Sequence, residues 1–387
     1  MNVSWSHSRV HSPGSDADQG KEGKDQGLKQ KRVFAPIIEV TRGALVESVH
    51  LGAMALVDVD GCMHASWGDP GLVTYLRSTA KPLQALPVLE SGVVEHYHLS
   101  LQQVALMCAS HSGTDAHAAT AASIQTAIGV DEDDLLCGTH PPIDAETAQR
   151  LLRAGQSPTP NRHNCSGKHS GMLALARAID APIHDYVNPE HPVQKRILDT
   201  LAEMAEMDPQ SIIVGVDGCS APVFGMPLRQ AALAYARLAD PSACSASRQK
   251  ACRMVFRAMN AHPEMVAGEG EFDTELMRAS QGRLICKMGA EGYQGIALAP
   301  GALSPESPAM GLVFKIADGD PKQRARPLAA LTALEALGVL DTQDLEGLQA
   351  FGPRPVKNWR GLHVGQLRPA AVFLEALMGH GDRVDRV

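Results

Sequence analysis

Apolar and polar positions alternate along 36–43, 44–61 and 63–68, which carry Val and Ile and are bounded by Gly and Asp. Alternation with β-branched residues predicts strands, here an antiparallel meander. The spacing then changes. Leu83, Leu86, Val88 and Leu89 fall on one face of a helix predicted over 79–91, and 101–110 and 115–129 continue the helical pattern. A loop-rich stretch, 138–146, leads into a further helix, and the polar segment from 156 feeds a helix from about Gly167. Helices follow over 192–206 and 246–263, with an apolar strand at 212–219 between them. The last third returns to strands (282–292, 294–300, 310–319) and then to helices (322–338, 368–377). A chain that leaves a sheet and returns to it predicts an α/β sheet domain with a helical region inserted over roughly 95–265.

Composition narrows the class. The chain has 387 residues, enough to bury a large core, and at 4% aromatic content that core must be packed by aliphatic side chains. Its formal charge of −8 argues against a nucleic-acid binder. Residues 1–32 are polar, mixed in charge and rich in Gly, Ser, Asp and Lys, and are expected to be a disordered tail ahead of one catalytic domain, 33–387. That tail lacks the apolar stretch of a secretory signal, and no apolar run reaches the roughly 18–20 residues of a membrane span. Eight cysteines are scattered without a CxxC pair, the usage of a reducing compartment. A soluble, cytoplasmic protein is expected.

Chemistry enters at 77-RSTAKPLQALPVLESG-92, where Ser78 and Lys81 stand three apart in the first turn of an otherwise ordinary core helix. Positions i and i+3 share a helix face. A lysine there has its pKa lowered by burial and by the positive helix end, and when neutral it can activate a serine for attack on an acyl carbon. Alone, the pair also suits a capping serine beside a solvated lysine. Ser-x-x-Lys is one of three signatures of penicillin-binding proteins and class A β-lactamases. A later strand carries Lys287-Met288-Gly289 in the order of the third signature, and Ser110-His111-Ser112 falls where a second serine is expected, without being Ser-Asp-Asn. Together they outline an acyl-transfer site.

A second constellation joins 163-HNCSGKHSG-171 to 216-VDGCSAP-222. Two thiolates and one further ligand could hold a zinc ion with an open position, with His169 and Asp217 around it. Cysteines buried beside a polar pocket fit the same spacing. A third segment, 268-GEGEFDTELM-277, reads as a turn capping a helix at Asp273 or Thr274.

The set RSTAKPLQALPVLESG, CASHSGTDAH, HNCSGKHSGMLALA, VDGCSAP and KMGAEGYQG closely resembles the rhizobial-type (class 3) L-asparaginases, the asparaginase II group, from about Val33 to the last helix. The resemblance implies a fold like that of serine β-lactamases and glutaminases, with a central antiparallel sheet flanked by helices. It implies two Ser–Lys pairs, Ser78 with Lys81 and Ser110 with Lys287, Ser78 being the nucleophile. It implies a zinc-type site with Cys165, Lys168 and Cys219 as ligands, and a homodimer. The expected reaction is hydrolysis of L-asparagine to L-aspartate and ammonia, with Arg77, Asn164, His169 and Asp217 as substrate-pocket residues. Glu271 departs from the basic residue expected before Phe-Asp-Thr. The alternatives are a penicillin-interacting hydrolase or glutaminase, and a non-catalytic zinc-dependent small-molecule binding protein.

Overall fold

The longest strand explains how the sheet is built. In the computed structural model, which describes residues 33–384, strand β2 (Leu45–Asp58) follows β1 (Ala35–Arg42) and precedes the short β3 (Met63–Trp67). The first half of β2 pairs with β1 and stays largely exposed. Its second half, rich in Ala, Leu and Val, is buried between β3 and a strand from the far end of the chain, β9 (Met310–Ile316). The other strands are β4 (Val73–Tyr75), β5 (Ile213–Val216), β6 (Pro222–Pro227), β7 (Leu284–Gly289), β8 (Tyr293–Leu298), β10 (Arg354–Lys357) and β11 (His363–Pro369). The main sheet runs β10-β11-β1-β2-β9-β8-β7, with β3 paired to β2, and every pairing is antiparallel. The expected mixed α/β architecture, a central antiparallel sheet with flanking helices, is the one observed. The expected tail, 1–32, lies outside the described residues.

The middle of the chain is mainly helical, as the spacing predicts, but it also holds a second sheet of order β4-β6-β5. Two elements there escape the sequence pattern: β6 and the helix Leu228–Ala239. That helix lies on the main sheet through small residues. A Cβ added at Gly311 of β9 would sit 1.8 Å from the carbonyl oxygen of Ala232, so only glycine admits this approach. The C-terminal helix, expected at 368–377, instead begins at Ala371, because 363–369 pairs with β1 as β11. The helix of the third motif spans Phe272–Ala279 with Glu271 as its N-cap and no side-chain cap bond, which corrects the reading of Asp273 or Thr274 as the cap. Among the described residues no helix is long and apolar enough to cross a membrane.

Candidate active site

The two sheets bring the motifs together. Strand β4 runs directly into a 3-10 turn, Arg77–Ala80, and then the helix Lys81–Glu90. Strand β5 runs into the loop that carries Asp217, Gly218 and Cys219. Because β4 and β5 both pair with β6, the serine turn and the cysteine loop leave the same small sheet. Arg77 joins them, donating from Nε to Asp217 Oδ1 at 2.9 Å and from Nη2 at 2.7 Å. Arg77 does so with φ of 51°, a left-handed conformation that costs a non-glycine residue about 1–3 kcal/mol and persists only where surroundings enforce it. Burial pushes the Asp217 carboxyl up, but the Gly218 amide, Arg77 and Lys168 outweigh it and hold it below the usual carboxylate range.

On its other side the serine turn packs on β7. A Cβ at Gly289 would meet Leu76 O at 2.6 Å and Thr79 Oγ1 at 2.7 Å. Thr79 donates to the Lys287 carbonyl at 3.3 Å, and Tyr235, from the unpredicted helix, donates to the Thr79 carbonyl at 2.7 Å. Ser78, half-buried, is thus held on a turn anchored from three directions.

Lys81, Lys168 and Lys287 are 1%, 4% and 0% exposed. Lysine is almost never buried without partners. Lys81 Nζ donates to Ala109 O at 2.5 Å, Ser110 Oγ at 2.8 Å and Asn164 O at 3.4 Å. The expected pairing therefore changes: the amine one turn after Ser78 is hydrogen-bonded to Ser110, and among the described residues Lys81 is hydrogen-bonded to Ser78 through the backbone, its N–H donating to the Ser78 carbonyl, and not through the amine. Among the described residues no hydrogen bond joins Lys287 to Ser110 either. It donates to Met288 O at 3.0 Å and lies 4.0 Å from Asp273 Oδ2. Burial pulls its ammonium down to about 7, with Lys81 and Arg326 adding to the effect and Asp273 opposing it.

Asp273 is the residue the sequence reading missed. It is 1% exposed, accepts from Met288 N at 2.6 Å and Gln294 Nε2 at 3.2 Å, and sits 3.6 Å from Arg326. Arg326 in turn donates to Gln294. The only signal for this buried network in the sequence was an aspartate inside the apolar stripe of its own helix.

Asn164 links the lysine cluster to the cysteines. Its carbonyl receives Lys81, and its side-chain oxygen accepts from Cys165 Sγ at 3.3 Å. Lys168 Nζ donates to Cys219 Sγ at 3.0 Å. A hydrogen bond with Cys219 and the charges of Lys81 and Lys168 outweigh burial and hold the Cys165 thiol well below its usual range. Burial pulls Lys168 down, but Cys219 and Cys165 more than reverse it, leaving a raised ammonium. Cys219 opposes the effect of burial on His169. Burial pushes its imidazole down to about 4, its Nδ1 meets Tyr186 Oη at 2.7 Å, and its Nε2 is buried with no hydrogen-bond partner.

Among the described residues no three His, Cys, Asp or Glu side chains are arranged to hold a metal. A metal here therefore needs the lysine. The two thiols of Cys165 and Cys219 and the amine of Lys168 offer the nitrogen and sulfur donors zinc prefers, and these residues fit that ion if Lys168 releases the proton it donates to Cys219.

A cavity of about 80 Å³ opens beside Ser110, with Ser112, Asn164, Glu271, Met288 and Gln323 also in its wall. Ser110 and Asn164 are the predicted residues it exposes. Its wall includes none of the other predicted residues, Ser78 among them.

Some solved structures are similar to the chain at low identity. One is a covalent complex of a Bacillus subtilis glutaminase with 5-oxo-L-norleucine: 12% identity over 68% of this chain and 79% of that one, TM-score 0.31. Another is a probable glutaminase from Bacillus subtilis complexed with 6-diazo-5-oxo-L-norleucine: 11% identity over 75% and 85%, TM-score 0.37. The comparison with curated proteins returns no match. The family model described as L-asparaginase II matches residues 38–369, from β1 to the end of β11, and so spans both sheets and every motif above. The chain belongs to the L-asparaginase II family of amidohydrolases.

Proposed function

We propose that the protein hydrolyses the side-chain amide of L-asparagine to L-aspartate and ammonia through an acyl-enzyme on Ser78. The observation that carries this reading is the 2.8 Å hydrogen bond from Lys81 to Ser110. It joins the lysine one turn after Ser78 to a second hydroxyl that lines the cavity, and so supplies a proton path between attack and leaving group. Ser78 Oγ attacks the amide carbon and its proton passes to Lys81. Ser110 hands a proton to the departing nitrogen, and ammonia leaves. Water then attacks the ester, with the proton returned by the same path. Lys287, with its pKa near 7 beside Lys81, tunes the charge of the pair.

Cys165, Lys168 and Cys219 would hold a zinc ion, with His169 and Asp217 around it. When bound, the ion supplies positive charge and a coordination position that orients the substrate. Asn164 fixes the cysteine loop relative to Lys81, and Arg77 holds the serine turn through Asp217.

A second reading has Ser110 attack first, favoured by its place in the cavity wall and its existing bond to Lys81. Ammonia release by Ser78→Ala and Ser110→Ala, with peptide mapping of the acyl-enzyme trapped by rapid acid quench, separates the two. Ser78→Ala is expected to lose on the order of 10³-fold or more in kcat/KM. Full activity in that variant, or an acyl group mapped to Ser110, would sink the assignment of Ser78.

A further inference from the structure

The acids around the cavity beside Ser110 are not alike. Glu271 lines that cavity and also a neighbouring one with Asp144, Glu264 and Glu269. Glu264 faces Arg278 at 3.8 Å and His262 at 3.3 Å. Glu269 pairs with Arg278 at 2.6 Å, and Asp144 accepts from the Thr147 amide at 2.7 Å. Glu271 has no hydrogen bond or ion pair to its carboxylate among the described residues. It is the N-cap residue of helix Phe272–Ala279, yet its side chain makes no cap bond. Arg326, the nearby cation, is engaged by Gln294 and Asp273. Burial and the neighbouring charge of Asp273 push the Glu271 carboxyl up, and the charge of Arg326, which makes no ion pair with it, only partly opposes them.

The position of Glu271 is built rather than accidental. Gly268, at φ of 142°, brings the loop against Ser112 so tightly that a Cβ there would meet Ser112 Oγ at 2.4 Å and Glu271 Cγ at 3.6 Å. Glu271 is thereby held beside Ser112, two residues from Ser110. The cavity, about 80 Å³ against the roughly 300–1,000 Å³ of drug-sized sites, suits the head group of a single small molecule. A half-buried, unpartnered carboxylate in such a wall is matched by a ligand cation.

We propose that Glu271 binds the α-ammonium group of the substrate and thereby selects amino-acid amides over amides that lack the amine. This rests on the amidohydrolase reading given above. A charge-assisted hydrogen bond of this kind is worth about 10- to 100-fold in kcat/KM.

The test compares wild type with Glu271→Gln on L-asparagine and on succinamate, which has the same amide and carboxylate without the amine. The substitution should lower kcat/KM about 10- to 100-fold for asparagine, mostly through KM, and leave succinamate within about two-fold. Glu271→Asp should recover part of the loss. An equal loss on both substrates would overturn the proposal. Calorimetry on Ser78→Ala with L-aspartate and succinate reads the same contact without turnover. Wild type that releases ammonia from neither amide would refute the amidohydrolase reading. In that event, a preference for aspartate that disappears in Ser78→Ala/Glu271→Gln would still support the ammonium site, and no preference would refute it too.

Discussion

Replacing Lys287 by methionine should cost activity and gain stability, with a gain that depends on pH. Lys287 is wholly buried, and its pKa falls from 10.5 to about 7. At ~1.4 kcal/mol per unit, the folded state disfavours the charged amine by about 5 kcal/mol. Below pH about 7 both folded and unfolded chains hold this proton, and the full penalty is present. Between about 7 and 10.5 the unfolded chain binds a proton that the folded chain does not, so wild-type stability rises with pH in that window. Lys287→Met has no such group. Asp273 would not be stranded, since Met288 N and Gln294 still donate to it. The stability advantage of the variant over wild type should therefore shrink by about 4 kcal/mol between pH 6 and pH 10. Urea denaturation of both proteins across that range measures it. Stability curves that stay parallel within about 1 kcal/mol would refute the argument that burial of this amine is what lowers its pKa. In the same series ammonia release by the variant should be abolished, and wild-type kcat/KM should rise through pH about 7 as Lys287 loses its proton.

Two further outcomes follow from the packing and from the cysteine loop. Gly167→Ala places a Cβ 2.1 Å from the Leu106 carbonyl, so helix Ser166–Ala178 must move off its neighbour; it should destabilise by about 1–3 kcal/mol in urea denaturation, whereas an increase of about 1 kcal/mol, the usual reward for glycine to alanine in a helix, would contradict the close approach. Cys219→Ser should reduce the zinc bound after reconstitution from about one per chain to a small fraction, measured by elemental analysis, while Cys137→Ser leaves it unchanged; equal retention in both variants would remove Cys219 from the ligand set.

The parts legible in the sequence are those whose cause is local. Alternation with Val and Ile marks the strands of 36–68, and the strands of 282–319, buried on nearly every position, are legible as short apolar runs. Helix Leu228–Ala239 was invisible for the opposite reason. It is rich in alanine and buried around much of its surface, so its placement is decided by Gly311, some 80 residues later in the chain. Strand β11 reads poorly because one of its partners, β1, lies at the far end of the chain, and its largely exposed positions carry no apolar pattern. The site divides in the same way. Ser78 and Lys81 announce themselves by spacing, but the fact that Lys81 reaches Ser110 is tertiary. Asp273 resembled a cap because aspartate near a helix start usually is one; only the packing of that helix on β7 turns it toward Lys287.

These features together explain why the site is assembled between two sheets rather than on one. A lysine buried without compensation would simply lose its charge or unfold its surroundings. Here each buried amine has its own frame: Lys81 has two carbonyls and a hydroxyl, Lys168 has two thiols, and Lys287 has Asp273 with a single carbonyl. The frames come from different segments, and the strained Arg77 turn is the piece that touches most of them, through Asp217 toward the cysteine loop and through Thr79 toward β7. Strain at Arg77 is sustained by the Asp217 ion pair, and the same pair sets the distance between the serine turn and Cys219. The position of Ser78 and the shape of the cysteine loop are therefore coupled mechanically, so a change that relaxes one of them moves the other.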